Sequence, residues 1–207
     1  MKNQNINSLT KEDTILWREM KEGNEKSFSA LFERYYGYLN HYGNTLCLHP
    51  EKVQDSVQDV FTDIWIYRQS LNDSVVVKAY LLSCIRKRLA RQNERDHVFR
   101  KTTSTDTIEF LFDFSIEHQL IIDEVTAEKV VHLNKLLNEL PDRQKEALYL
   151  RYHQGLTIEQ IAEMLEVNYQ SANNLLHRAL INLRKEWKEN LTLIMLTPLF
   201  LNLLEKN

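Results

Sequence analysis

The stretch NYQSANNLL, residues 168 to 176, carries amides at positions 168, 170, 173 and 174, a hydroxyl at Ser171 and no charge. On a helix, Asn and Gln side chains can pair bidentately with the edge of adenine in a major groove, and Leu175 can touch a thymine methyl. Anchoring on phosphates would then fall to the helix N-terminus, to His177 and Arg178, and to Arg143, Lys145 or Arg184 nearby. A second cluster is cationic: RKRLARQNERDHVFRK, Arg86 to Lys101, holds seven Lys and Arg against two acids. On a helix Arg88, Arg91 and Arg95 fall near one face, and such a face can track a nucleic-acid backbone; a solvated helix surface is the plainer reading. A third set, Asp55, Asp59 and Asp63, repeats every fourth residue and shares one face. It lacks the convergent partners a cation needs, so a partner-facing acidic stripe fits better. No nucleophile–base pair, phosphate loop or carboxylate dyad stands out. The seven histidines form no HxxxH or HExxH pair, and Cys47 and Cys84 match no metal spacing. No catalytic residue, metal or cofactor is expected, and no small-molecule substrate.

These side chains need helices to position them. Four glycines and three prolines in 207 residues, with many Leu, Glu, Lys, Arg and Gln, predict an all-α chain. A first helix is expected over 8–22, capped by Ser8 or Thr10. In KSFSALFERYYGYLNHYGNTL the apolar positions 28, 31, 32, 35, 39, 42 and 46 have helical spacing. Pro50 suits the first turn of the next helix, whose apolar face is 53, 57, 60, 61, 64 and 65. NDSVVV interrupts the pattern. It resumes with Tyr80, Leu81, Cys84, Ile85 and Leu89 inward.

Toward the C-terminus, EKVVHLNKLLNEL and PDRQKEALYLRYHQ read as two helices, the second stopped by Gly155 in a left-handed conformation. Thr157 and Gln160 form a capping box for TIEQIAEML. EVN is a turn, and Asn168 caps the last helix. Ile161, Ala162 and Leu165 can pack on Ala172, Leu176, Ala179 and Leu183. This is helix-turn-helix spacing, although an ordinary helical hairpin shares it. Charge divides the chain as well: net +3 over Phe28–Lys101, net −5 over Thr102–Leu136, and balance over Leu137–Lys188. The expected organisation is two small helical domains, 8–101 and 125–188, joined by a flexible acidic linker, 102–124. A tail, 189–207, follows.

The stretch LNELPDRQKEALYLRYHQGLTIEQIAEMLEVNYQSANNLLHRALINLRKEW resembles the C-terminal DNA-binding domain of extracytoplasmic-function sigma factors of bacterial RNA polymerase. FSALFERYYGYLNHY, DSVQDVFTDIW and KAYLLSCIRKRL resemble that family's N-terminal core-binding domain, in the right order and distance. The resemblance covers about residues 10 to 188. It implies that the helix bearing Asp55, Gln58, Asp59, Phe61 and Trp65 docks on a coiled coil of core RNA polymerase. A Trp anchor with a polar rim suits such a contact, while a purely core role for Phe61 and Trp65 is the alternative. It implies further that LNDSVVVK and the basic helix melt and hold the minus-10 promoter element. Asn72, Asp73 and Ser74 would line a pocket for an unstacked base, and Lys78, Lys87, Arg88, Arg91 and Arg95 would hold the backbone. The minus-35 element would be read by Gln170, Ser171, Asn173, Asn174, His177 and Arg178. The family usually has Lys or Arg where this chain has Asn173 and Leu175, an Asn near Lys87 and an acid near Arg91. The acidic linker would run through the polymerase cleft.

The implied partners are core RNA polymerase, promoter DNA and an anti-sigma factor. A different class, a stand-alone helix-turn-helix regulator on duplex operators, would need a dimerisation element and no core-binding domain. The polar N-terminus is not a signal peptide. The apolar run Leu191–Leu204 is 14 residues long with Pro198 and Asn202, shorter than the ~20 residues of a span. It is expected to dock, with membrane contact only through this tail if at all, and a cytoplasmic location fits.

Overall fold

In the computed structural model the chain divides into two compact units, residues 1–111 and 112–207. The structure describes the backbone of residues 2–100, 110 and 124–186, and the side chains of 12–94, 110 and 131–185. Every regular element among them is helical. Most of the acidic linker and all of the apolar tail lie outside the described residues.

The first unit holds α1 (Lys2–Lys21), α2 (Glu25–Asn44), α3 (Pro50–Ile66) and α4 (Val77–Arg100), with a 3-10 turn at Arg68–Ser70. Helix α1 starts well before the expected caps, so Ser8 and Thr10 are interior to it; no Gly or Pro interrupts the run that precedes them. Gly23, at φ +96°, turns the chain out of α1, a conformation that Gly adopts at no steric cost. Asn24 then caps α2, its side chain accepting from the backbone N–H of Lys26 and Ser27 at 2.9 and 3.2 Å. Pro50 opens α3 as expected. The core is apolar along the predicted faces: Leu31, Leu39, Tyr42, Val53, Val57 and Ile64 are buried. On α4 the buried set is Val77, Leu81, Leu82, Ile85 and Leu89, while Tyr80 and Cys84 are half-buried. The inward face is thus rotated toward Leu82. Polar groups are built into this core as well, Asp13, Ser27, Thr45 and Ser56 among them. Asp13 of α1 is buried and accepts hydrogen bonds from Arg34 and from the Tyr35 hydroxyl of α2. Burial and the neighbouring carboxylate push the Tyr35 phenol well above its ordinary range, so it stays a donor.

The second unit holds α5 (Glu124–Asn138), α6 (Asp142–Leu148), α7 (Ile158–Met164) and α8 (Tyr169–Glu186). The predicted second helix of this unit does not run straight to Gly155. After α6 it widens into a π-helical turn, Tyr149–His153, and Gln154 N–H bonds back to Tyr149 C=O at 3.0 Å. The Tyr149 and His153 rings, one turn apart, stack with centroids 4.6 Å apart. Gly155 takes φ +69°, the left-handed stop expected of it.

Candidate nucleic-acid interface

The turn between α7 and α8 sets the geometry of the C-terminal site. The Thr157 hydroxyl accepts from Gln160 N–H at 3.3 Å, and the Gln160 side chain accepts from Thr157 N–H at 2.9 Å. This reciprocal box fixes where α7 begins. Ile161, Ala162 and Leu165 on one side, and Ala172, Leu176, Ala179 and Leu183 on the other, are all buried. Ala162 and Ala172 are small enough for close helix approach. Glu166 turns the chain with φ 55°, and Asn168 caps α8 by accepting Ser171 N–H at 2.7 Å. The packing leaves Gln170, Asn174, His177 and Arg178 exposed, with Ser171, Asn173 and Leu175 half-exposed. Gln170 and Asn174, one turn apart, share a hydrogen bond of 3.0 Å. Together they present an amide surface with donors and acceptors left over for a base edge. Asn182 reaches back to Gln144 of α6 at 3.3 Å, bracing α8.

In the first unit, α3 and α4 carry opposite charges face to face. The Arg88 guanidinium spans Asp59 at 2.6 Å and the Asp63 carboxylate. Each of its two terminal nitrogens thus meets a different carboxylate, one helical turn apart on α3, through a charge-assisted hydrogen bond. Ser56 and Gln92 add a 3.1 Å hydrogen bond between the same helices. Asp55 and Gln58 are exposed, as is Arg91. Trp65 is half-buried: Phe28 packs against its ring at 5.0 Å, and the Arg68 guanidinium lies 4.5 Å from it. The exposed Ile66 and Tyr67 follow it.

The loop between α3 and α4 is tied to α1. Trp17 Nε1 donates to the Asn72 carbonyl at 3.0 Å, and Lys21 bonds to the Leu71 carbonyl and to the Asp73 carboxylate. The Asn72 side chain accepts Ser74 N–H at 2.9 Å. Lys78 lies partly buried with its ammonium 5.4 Å from the centre of the Tyr38 ring, and burial lowers its pKa to about 8.

This geometry can be set beside that of known proteins. The family described as Sigma-70, region 4, matches residues 132–183, from within α5 into α8. Curated relatives include the ECF RNA polymerase sigma factor SigK of Mycobacterium sp. strain KMS. It is 23% identical over 164 residues, covering 77% of this chain and 82% of that protein. The SigK of strain JLS matches to the same extent. Over most of its length the chain is thus similar to extracytoplasmic-function sigma factors, and its C-terminal unit carries the Sigma-70, region 4, match. Solved structures agree on the fold. RpoE from Bartonella quintana, in complex with the anti-sigma factor NepR, superposes with a TM-score of 0.55 at 20% identity, over 79% of this chain and 99% of that one. CnrH, in complex with the cytosolic domain of CnrY, gives 0.54 at 18%, over 84% and 96%.

The structure places the expected contact residues in different settings. Phe61 is buried, edge-on to Phe28 and Phe32 with centroids 6.0 and 5.0 Å away. It supports the α3 surface from beneath rather than forming it. Lys145, considered as a phosphate anchor, is buried; Arg143 and Arg184 are exposed. Arg88 is engaged with α3, Lys87 is half-buried, and Lys78 is folded onto Tyr38. Asn72, Asp73 and Ser74 are exposed together on one loop. The side chain of Arg95 lies outside the described residues. Sequence reasoning missed Trp17 and Lys21, which bond to loop residues 50 to 55 positions downstream. It also missed the apolar end of α3 at Ile66 and Tyr67. Trp17 and Lys21 are spaced i, i+4, a signal of a shared face, but nothing in the sequence names the loop that face meets. No helix among the described residues is long and apolar enough to cross a membrane.

Proposed function

We propose that this chain is a sigma factor, a dissociable initiation factor that binds core RNA polymerase through the outer face of α3. In this reading it holds the melted minus-10 element with α4 and the loop before it, and it reads the minus-35 element with α8. The observation that carries the reading is the pairing, in one chain, of a capped helix-turn-helix with a separate helical unit bearing adjoining acidic and basic surfaces. A stand-alone operator-binding regulator has no use for the second. On α3, Asp55, Gln58 and Asp59 form the polar rim, and Trp65 with Ile66 and Tyr67 supplies the apolar anchor. On α4, Arg91 is open to a phosphate, whereas Arg88 reaches one only by leaving Asp59 and Asp63. Lys87 and Arg95 extend the same basic helix. On α8, Gln170, Asn173 and Asn174 face base edges. Ser171, His177 and Arg178 flank them, and Arg143 and Arg184 serve the phosphates.

The factor itself catalyses nothing in this scheme; RNA synthesis belongs to the polymerase, and the site of action is the cytoplasm. The domain limits are 8–101 and 125–188, with the acidic segment 102–124 lying in the polymerase cleft. An anti-sigma factor is a further proposed partner, by analogy with the complex in which RpoE was solved. Run-off transcription with core polymerase over genomic fragments tests the whole reading. Discrete start sites that depend on the factor are expected. Absence of such transcripts, with tight duplex binding by the free chain, would move the protein to the regulator class.

A further inference from the structure

Trp17 and Lys21 lie one helical turn apart on α1 and act on the same loop. Trp17 is buried, and its ring stands edge-on against Tyr80 of α4 at 5.3 Å. Its indole N–H is therefore aimed by packing when it donates to the Asn72 carbonyl at 3.0 Å. The Lys21 ammonium is shared between the Leu71 carbonyl, at 2.5 Å, and the Asp73 carboxylate. Its side chain is 13% exposed, against 75% for Asp73. Two successive carbonyls of an irregular loop, which no helix ladder satisfies, are thus held by side chains of one distant helix. At the same point the only carboxylate of the Asn72–Ser74 triplet is drawn to a cation.

The loop's own hydrogen bonds fix the remaining chemistry. Ser74 N–H can only donate, so the Asn72 atom that accepts it at 2.9 Å is Oδ1. The exposed Asn72 amide is left with its two N–H donors. Beside it stands the Ser74 hydroxyl, able to donate or accept. With Asp73 held by Lys21, the loop offers donors to an incoming group and little net negative charge to repel a phosphate backbone.

We infer that Trp17 and Lys21 are positioning residues for base capture: they preset the Leu71–Ser74 loop so that the Asn72 amide donates to the acceptor edge of an unstacked base. This inference rests on the proposed minus-10 role of the loop. It adds to that role a donor identity for the pocket and a helix outside the DNA-binding surface that sets it.

The test uses holoenzyme reconstituted from core polymerase and the full chain. Competition binding is measured on single-stranded minus-10 oligonucleotides that differ only at the captured base. Lys21→Met keeps the aliphatic stem and removes the donor; Trp17→Phe keeps the ring and removes the N–H. Each is expected to reduce discrimination between bases about fivefold, with core polymerase affinity unchanged and with Lys21→Arg retaining most of it. Asp73→Asn, at an exposed position where folding is not at stake, is expected to lose part of the same discrimination. Combined with Lys21→Met it should cost less than the sum of the two. If Asn72→Ala abolishes discrimination while Lys21→Met, Trp17→Phe and Asp73→Asn all keep it, the positioning role is overturned and the loop's role stands. If Asn72→Ala also keeps it, the loop does not capture the base, and the proposed role of the loop falls with the inference.

Discussion

Gly43 sits in α2 where that helix meets α3, and a Cβ built on it would lie 2.4 Å from Val53 Cγ1 and 3.5 Å from Leu89 Cδ1. Alanine would gain about 1 kcal/mol of helix propensity, but it would force the buried, branched Val53 side chain aside, while its contact with Leu89 would be an ordinary one. Overpacking of this kind costs ~1–3 kcal/mol. Gly43→Ala is therefore predicted to lower the denaturation midpoint, and adding Val53→Ala should recover part of the loss; a variant as stable as the parent would mean that the α2–α3 contact yields easily. Lys78 gives a pH-dependent counterpart. Burial lowers its pKa to about 8 from the ordinary 10.5 of a lysine. Between those values the unfolded chain binds the proton and the folded chain does not, so the stability contribution of Lys78 rises with pH across that window. Below pH 8 the buried ammonium is a liability. Lys78→Met is predicted to be more stable than the parent in chemical denaturation at pH 7, with the gap narrowing as pH climbs from 8 toward 10.5. A gap independent of pH would show that the lysine is not desolvated when folded. Neither effect is legible in the sequence: a glycine inside YYGYLNHYGN looks like a weak spot in a helix, and Lys78 looks like one more cation beside a basic run.

At the scale of elements, periodicity and caps were enough for α3 and for the α7–α8 pair, though not for the start of α1. The faces 53, 57, 60, 61 and 64 on α3 and 172, 176, 179 and 183 on α8 are buried as their spacing predicts. The Thr157 box and the Asn168 cap form as written. Local signals carry this information because the partner group lies within four residues. What they do not carry is how one element meets another. The rotation of α4 toward Leu82, the Arg88 fork onto α3 and the hold of α1 on the 71–74 loop depend on contacts twenty-five to fifty-five residues apart. The π-helical turn at Tyr149–His153 is likewise invisible to a pattern of period 3.6. For α8 the consequence is specific. The helix is capped by its own Asn168, and its outward amides are partly paired through Gln170 and Asn174, so an added side chain at Asn173 leaves the scaffold intact. Asn173→Lys is predicted to change base preference in the minus-35 element and to steepen the salt dependence of holoenzyme binding by about one phosphate contact. Start-site mapping on a library randomised at that element reads the preference, and holoenzyme binding titrated over salt concentration reads the slope; an unchanged preference would place residue 173 away from the bases.

At the scale of the molecule, the division of labour separates two losses that would otherwise look alike. Trp65 is half-buried between Phe28 and Arg68, on the helix proposed to meet the polymerase. Arg88 and Arg91 are on the helix proposed to meet DNA. The Arg88 pairs with Asp59 and Asp63 are well exposed on the carboxylate side, 56% and 53%, so breaking them should cost the fold no more than about 1 kcal/mol. That small cost allows the arginines to be removed without unfolding the unit. Trp65→Ala is expected to weaken capture of core polymerase in a pull-down while leaving the DNA-binding units folded. Arg88→Ala with Arg91→Ala is expected to leave capture intact and to reduce promoter opening, read as lower permanganate reactivity of promoter thymines. The free chain, with no Lys or Arg from Asn168 to Leu176 to hold phosphates, should shift a minus-35 duplex only weakly unless core polymerase is added. Full reactivity in the double arginine variant would exclude α4 as the element that holds melted DNA, and a tight shift by the free chain alone would show that α8 does not depend on the polymerase for its affinity.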